Sequence, residues 1–200
     1  NPAISYYGSL NDLYYVRAND ALGTTWGTPI ALHAALAAGQ YSSLAVVNGN
    51  PAISFYSVTG QDLKYIRALD ANGSTWPATS INAAPIAGNV GGNTCLEMVD
   101  GFPAISYLDI TNADLKYVRA TDANGSDWDT PVTLDATGSV GTTPYLKIVN
   151  GNPAISYYDN TNGDLKYVRA TDITGAIWGA PIIVDATGTV GAYTSLAVVD

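Results

Sequence analysis

Four phrases return along the chain at a spacing of about fifty residues, and this repetition constrains the fold more than any other feature. Asn-Pro-Ala-Ile-Ser-(Tyr/Phe) begins at Asn1, Asn50 and Asn152, and Phe102 replaces the Asn in the remaining copy. Asp-Leu-(Lys/Tyr)-Tyr-(Val/Ile)-Arg-Ala carries Arg17, Arg67, Arg119 and Arg169. A tryptophan follows at Trp26, Trp76, Trp128 and Trp178. Leu-x-(Val/Ile/Met)-Val-(Asn/Asp) starts at Leu44, Leu96, Leu146 and Leu196. The copies cover approximately 1–49, 50–101, 102–151 and 152–200, read here as one domain over 1–200.

Each phrase is a short β-branched and aromatic run between turn residues, the pattern of a strand. Strand A is expected at Ser43 to Asn48, strand B at Ala52 to Tyr56, strand C at Leu63 to Ala68, and strand D from Trp76 onward. Asn48-Gly49 and Asn150-Gly151 separate A from B, and such pairs favour tight hairpins because both residues tolerate positive φ. A four-stranded unit this small cannot cover both of its faces, so neighbours must stack. Radial stacking gives an all-β fold, a β-propeller of four four-stranded antiparallel blades. The chain opens on strand B and finishes on strand A, Ser195 to Asp200. Pairing the C-terminal strand with the N-terminal one, Asp200 beside Asn1, would close the ring and remove two free edges. A four-bladed ring, a paired eight-bladed ring and part of a longer array all remain open.

Composition narrows the function. The formal net charge of −9 argues against nucleic acid, which needs clustered Lys and Arg. Cys95 is the only cysteine, so no internal disulfide can form, and it reads as a small core residue. No apolar stretch approaches a membrane span, so no membrane insertion is expected. Few Lys and many Tyr, Asn, Thr and Gly suggest an extracellular or cell-surface setting.

The segments Asp70-Ala-Asn-Gly-Ser-Thr-Trp76 and Asp122-Ala-Asn-Gly-Ser-Asp-Trp128 resemble the Asp-box turn of sialidase-like propellers, with one extra residue between Asp and Trp. Over its length the chain resembles the repeat arrays of bacterial secreted and surface propellers and, more loosely, propeller lectins. The resemblance implies a propeller fold; function must be argued from a site.

Scaffold positions recur in every copy, whereas a single site need not. The recurrent arginines, each with an Asp three residues later (Asp20, Asp70, Asp122, Asp172), read as structural Arg–carboxylate pairs within a blade. Asp109, Asp114, Asp159 and Asp164 flank B–C turns and are weak candidates for calcium, since Asx turns account for them without a metal and no cofactor is expected. His33 is the sole histidine, which removes any two-histidine metal site. Glu97 and Lys147 replace Ala45 and Ala197 in strand A, so an ion pair between successive blades is expected, and where strand A lines a central channel the two are also candidate ligand-binding residues. The insertion between Ala83 and Asn93 reads as a tolerated loop. Tyr41, Tyr145 and Tyr193 lie before or at the start of strand A, near one face of the disc, where an apolar ring with a polar tip suits a sugar or a peptide. The expected function is a non-catalytic extracellular binding module for a glycan or protein. A structural unit of a surface layer or fibre, self-associating through open strand edges, and a fragment of a sialidase-like glycoside hydrolase are the alternatives.

Overall fold

The computed structural model describes residues 1–8, 11–32 and 37–199, so His33 and Asp200, and with Asp200 its expected pairing with Asn1, lie outside the described residues. Blade I holds β1 (Ala3–Tyr7), β2 (Leu13–Arg17) and β3 (Ile30–Ala31). Blade II holds β4 (Ala38–Val47), β5 (Asn50–Ser57), β6 (Asp62–Arg67) and β7 (Ile81–Asn82). Blade III holds β8 (Val90–Val99), β9 (Phe102–Asp109), β10 (Asp114–Arg119) and β11 (Val132–Asp135). Blade IV holds β12 (Val140–Val149), β13 (Asn152–Asp159), β14 (Asp164–Arg169) and β15 (Ile182–Asp185). Each sheet is an antiparallel meander in sequence order, and no helix is long and apolar enough to cross a membrane among the described residues.

Blades II to IV have the expected four strands, whereas blade I has three. Residues 195–199, which carry the strand A phrase, form no strand and pair with none of the described residues. Strand D also differs. It begins four or five residues after the tryptophan, and Trp26, Trp128 and Trp178 sit in isolated bridges such as Ala120 with Trp128. The indole turns back into the preceding turn, where Trp128 Nε1 donates to the Gly125 carbonyl at 3.0 Å.

The A–B hairpins turn through Asn48-Gly49, Asp100-Gly101 and Asn150-Gly151, all at positive φ. The repeated arginines lock these hairpins. Arg67 Nε and Nη2 donate to the carbonyls of Val47 and Asn48 at 2.9 and 2.7 Å, and Arg119 and Arg169 do the same in their blades. The expected pairing of these arginines with the Asp three residues later is therefore corrected. That Asp is consumed by its own turn: Asp70 accepts the backbone N–H groups of Asn72, Ser74 and Thr75 at 2.7 to 3.2 Å. Those bonds, the Ser74 backbone N–H foremost, hold its pKa down at about 2.

The apolar core lies between blades. One cluster joins Leu63 and Tyr65 of blade II to Val90, Ile105 and Tyr107 of blade III; equivalent clusters join I to II and III to IV. A latch repeats at each interface. Tyr15, Tyr65 and Tyr117 of strand C each set a ring 5.1 Å from the tryptophan of the next blade. Their hydroxyls donate to the carbonyls of Asn72, Asn124 and Thr174 at 2.9 to 3.1 Å. The inner strand approaches the preceding blade so closely that a Cβ on Gly141 would stand 2.6 Å from Leu115 Cα. Gly39, Gly91 and Gly191 occupy the same place, and all four have positive φ. Only glycine fits both demands.

Candidate functional site

Each inner strand carries a bulge just past that glycine. The β4–β5 register shifts between Gln40 and Ser43, β8–β9 between Gly92 and Cys95, and β12–β13 between Thr142 and Tyr145. A bulge places an extra residue in the strand and re-aims its side chain. The residues concerned are Tyr41, Asn93 and Thr143, and Tyr193 stands at the same point ahead of residues 195–199; their φ angles are 54°, 51°, 49° and 57°. Left-handed backbone is unusual for any residue with a side chain and more so for a β-branched one, and it costs on the order of 1–3 kcal/mol per residue. Here it recurs in register four times around one centre.

Hydrogen bonds between neighbouring strands hold the bulges. Thr94 Oγ1 donates to the Tyr41 carbonyl at 2.8 Å, the Tyr193 backbone N–H donates to Thr143 Oγ1 at 2.9 Å, and Thr194 Oγ1 donates to the Thr143 carbonyl at 3.2 Å. Together these residues line a depression of about 270 Å³ at the hub mouth, on the end of the blades that also carries the B–C turns. The lining is neutral: two tyrosines, hydroxyl and amide side chains, and Pro144. Tyr41 is half exposed and Tyr193 is 86 % exposed, so both rings present surface to solvent.

Of the residues singled out from sequence, Tyr41 and Tyr193 meet here and Tyr145 does not. The bulge sets Tyr145 two positions further along, at the point occupied by Ser43 and Cys95, where side chains pack on the next inner strand. Asn93 and Thr143, which complete the lining, were not recognised, because only the backbone angle marks them.

Glu97 and Lys147 do pair across successive blades, with Lys147 Nζ 2.5 Å from Glu97 Oε2. This bond raises the Lys147 pKa. They stand four residues beyond the bulges and do not line the depression. Cys95 is half-buried, and its sulfur accepts the Leu146 N–H at 3.3 Å, as Ser43 Oγ accepts that of Leu96 at 3.0 Å.

The carboxylates weighed for calcium are engaged by the protein itself. Asp159 accepts from the backbone of Thr161 and Asn162 and lies 3.6 Å from Lys166 Nζ. Asp109 and Asp114 flank Lys116 Nζ at 3.6 and 3.9 Å. Among the described residues no group of three or more His, Cys, Asp or Glu side chains is arranged to hold a metal, and Asp164 belongs to none. A buried cluster that the repeat pattern did not reveal joins blades III and IV: Tyr157 OH and Lys166 Nζ both donate to Asp135 Oδ2, at 2.7 and 2.5 Å.

Compared with protein families and with curated proteins, the chain finds no match. Solved structures do match it. A protein of unknown function from Dyadobacter fermentans superimposes with a TM-score of 0.66 at 13 % identity, over 86 % of this chain and 58 % of that one. An exo-β-1,3-galactanase from Phanerochaete chrysosporium, solved with β-1,3-galactotriose, gives 0.60 at 13 % identity over 92 % of this chain and 48 % of that one. The NanB sialidase from Streptococcus pneumoniae gives 0.54 at 17 % identity over 79 % of this chain and 26 % of that one. The chain thus spans about half the length of the first structures it matches, and at these identities the fold alone is shared. The fold is all-β and propeller-like, the blade architecture of glycoside hydrolases at distant similarity.

Proposed function

We propose that this chain is a non-catalytic carbohydrate-binding propeller, acting outside the cell, and that its ligand sits in the hub mouth between Tyr41 and Tyr193. The observation that carries the reading is the ring of strained residues in register, which surrounds a neutral depression with two exposed aromatic faces. Strain that packing must hold in place gathers where a surface is used. Aromatic faces beside hydroxyl and amide groups match the apolar face and hydroxyl rim of a sugar ring. Structures of similar fold include one solved with a galactotriose, which supports a glycan over other neutral ligands.

Catalysis fits the mouth less well. Glycoside hydrolysis uses two carboxyl groups roughly 5–10 Å apart, one of them protonated as the general acid. Among the described residues no carboxylate lines the depression, and Glu97 is held by Lys147. Among the described residues no arginine lines it either, so the cluster that grips a sialic acid carboxylate has no counterpart among them.

A glycan array followed by calorimetry tests the proposal. Neutral oligosaccharides are expected to bind, with affinity falling roughly tenfold when Tyr41→Ala and Tyr193→Ala are combined, the scale of two lost aromatic contacts. Binding unchanged in the double variant would reject the site, and release of reducing sugar from a bound oligosaccharide would reject the non-catalytic assignment.

A further inference from the structure

We propose that Asn150 is a site of spontaneous covalent modification, its side-chain amide converting to a carboxylate in the folded chain. Five Asn-Gly pairs stand in the sequence: Asn48-Gly49, Asn72-Gly73, Asn124-Gly125, Asn150-Gly151 and Asn162-Gly163. In such a pair the glycine backbone nitrogen can attack the Asn Cγ. It loses its proton to solvent, a succinimide ring forms, and the side-chain nitrogen leaves as ammonia. Water then opens the ring at either carbonyl and leaves aspartate or isoaspartate; it is the only co-reactant. Glycine permits the step because it has no side chain to crowd the approach. What separates the pairs is where each glycine N–H is directed, since an N–H already donated must first be released.

Three of the pairs are protected. Gly73 and Gly125 donate to the carbonyls of Asp70 and Asp122 at 3.1 and 3.3 Å, and Gly163 donates to the Asp159 carbonyl at 2.8 Å. Asn162 is held a second time, because its Nδ2 donates to Asp159 Oδ2 at 2.9 Å. Gly49 and Gly151 differ: neither N–H has an acceptor among the described residues. Both belong to exposed hairpin turns, and no heavy atom lies within 4 Å of where a Cβ on either glycine would stand. Asn48 and Asn150 then part company. Asn48 Nδ2 donates to Asn124 Oδ1 at 2.8 Å, which ties the reacting amide to the Asp122 turn of the next blade. The Asn150 side chain has no such partner among the described residues.

The chain already holds the product at the matching place. Blade III turns through Asp100-Gly101 at φ 47° and 78°, beside 46° and 80° for Asn150 and Gly151. Asp100 Oδ2 stands 3.5 Å from Arg119 Nη2, and Arg169 Nη2 is placed the same way, on the Asn150 carbonyl at 3.0 Å. Aspartate at position 150 therefore keeps the turn and meets a guanidinium. Isoaspartate instead adds a main-chain carbon, which lengthens the turn and disturbs the pairing of Val149 with Asn152.

Incubating the full 200-residue chain in mildly alkaline buffer and mapping its peptides by tandem mass spectrometry tests this. Asn150 is expected to convert first. Asn48 should follow roughly three- to tenfold more slowly, the factor carried by one internal hydrogen bond, and Asn72, Asn124 and Asn162 at least about tenfold more slowly. In urea all these sites are expected to converge on one rate, because the bonds that separate them are gone. An Asn150 that converts only in urea, equal rates in the folded chain, or Asn72, Asn124 or Asn162 ahead of Asn150 would overturn the proposal. Asn124→Ala gives an independent reading. By removing the partner of the Asn48 amide it is expected to bring Asn48 to within about twofold of Asn150. An Asn48 rate unchanged in that variant would likewise overturn it.

Discussion

Two buried hydroxyls, Ser106 Oγ and Tyr107 OH, lack partners among the described residues, and the repeats explain both. Ser5, Ser54 and Ser156 of strand B bond to Ser42, Thr94 and Thr194 of the following inner strand; for Ser106 the corresponding residue is Pro144, which has no hydroxyl. Tyr157 OH finds Asp135 in the preceding blade, but the corresponding stretch beside Tyr107 is Ala83-Ala84, which has no side-chain acceptor. A buried polar group without a partner costs roughly 1–3 kcal/mol, so removing it is neutral or better. Tyr107→Phe should therefore leave stability unchanged or raise it by up to about 1 kcal/mol, whereas Tyr157→Phe should cost about 1–3 kcal/mol because Asp135 loses a donor. Urea unfolding of the two variants distinguishes them. Pro144→Ser should add about 1 kcal/mol by giving Ser106 its bond. At this scale the sequence was readable where repeats differ by charge, as with Glu97 and Lys147. It misled where neighbours in sequence were taken for neighbours in space: Arg67 and Asp70 lie three apart, yet one grips a hairpin carbonyl and the other the amides of its own turn.

Among elements, the Asp-centred turns and the bulges behave differently. The turns were legible because Asp, Gly and Trp each act through their own chemistry. The carboxylate gathers amides, the glycine takes positive φ, and the indole closes on its carbonyl. Their dependence on ionisation gives a pH prediction. The Asp70 pKa is lowered from 3.8 to about 2 in the folded chain, chiefly by the Ser74 N–H, so its contribution is present above about pH 4 and fades as pH falls toward 2. Melting temperature should drop across that interval, and Asp70→Asn should flatten the dependence in part, since three sister turns remain. The bulges were not legible. Nothing in Tyr41, Asn93, Thr143 or Tyr193 as residue types announces left-handed backbone, and none is glycine. The extra residue also offsets the two halves of each inner strand against each other, which is why Tyr145 was grouped with tyrosines it does not join.

At the scale of the whole molecule, the fold followed from arithmetic: a fifty-residue unit of four strands has two apolar faces and must lean on siblings. The clusters between blades bear this out, since each draws on two adjacent blades. Trp128, buried against Tyr65 of the blade before it, is therefore as much an interface residue as a blade residue. Trp128→Ala should cost about 3–5 kcal/mol, the range for emptying a buried aromatic site, and should loosen blade II from blade III. Hydrogen exchange would show the loss of protection concentrated in β6 and in the turn at Asp122.

The tyrosine latch always faces forward, from one blade to its successor, and involves no third unit. A gene encoding such a chain can gain or lose one whole fifty-residue module by unequal recombination, with every remaining junction still meeting its proper mate. Each latch uses the same two ring types, a tyrosine and a tryptophan, so a change in blade number leaves its chemistry unaltered.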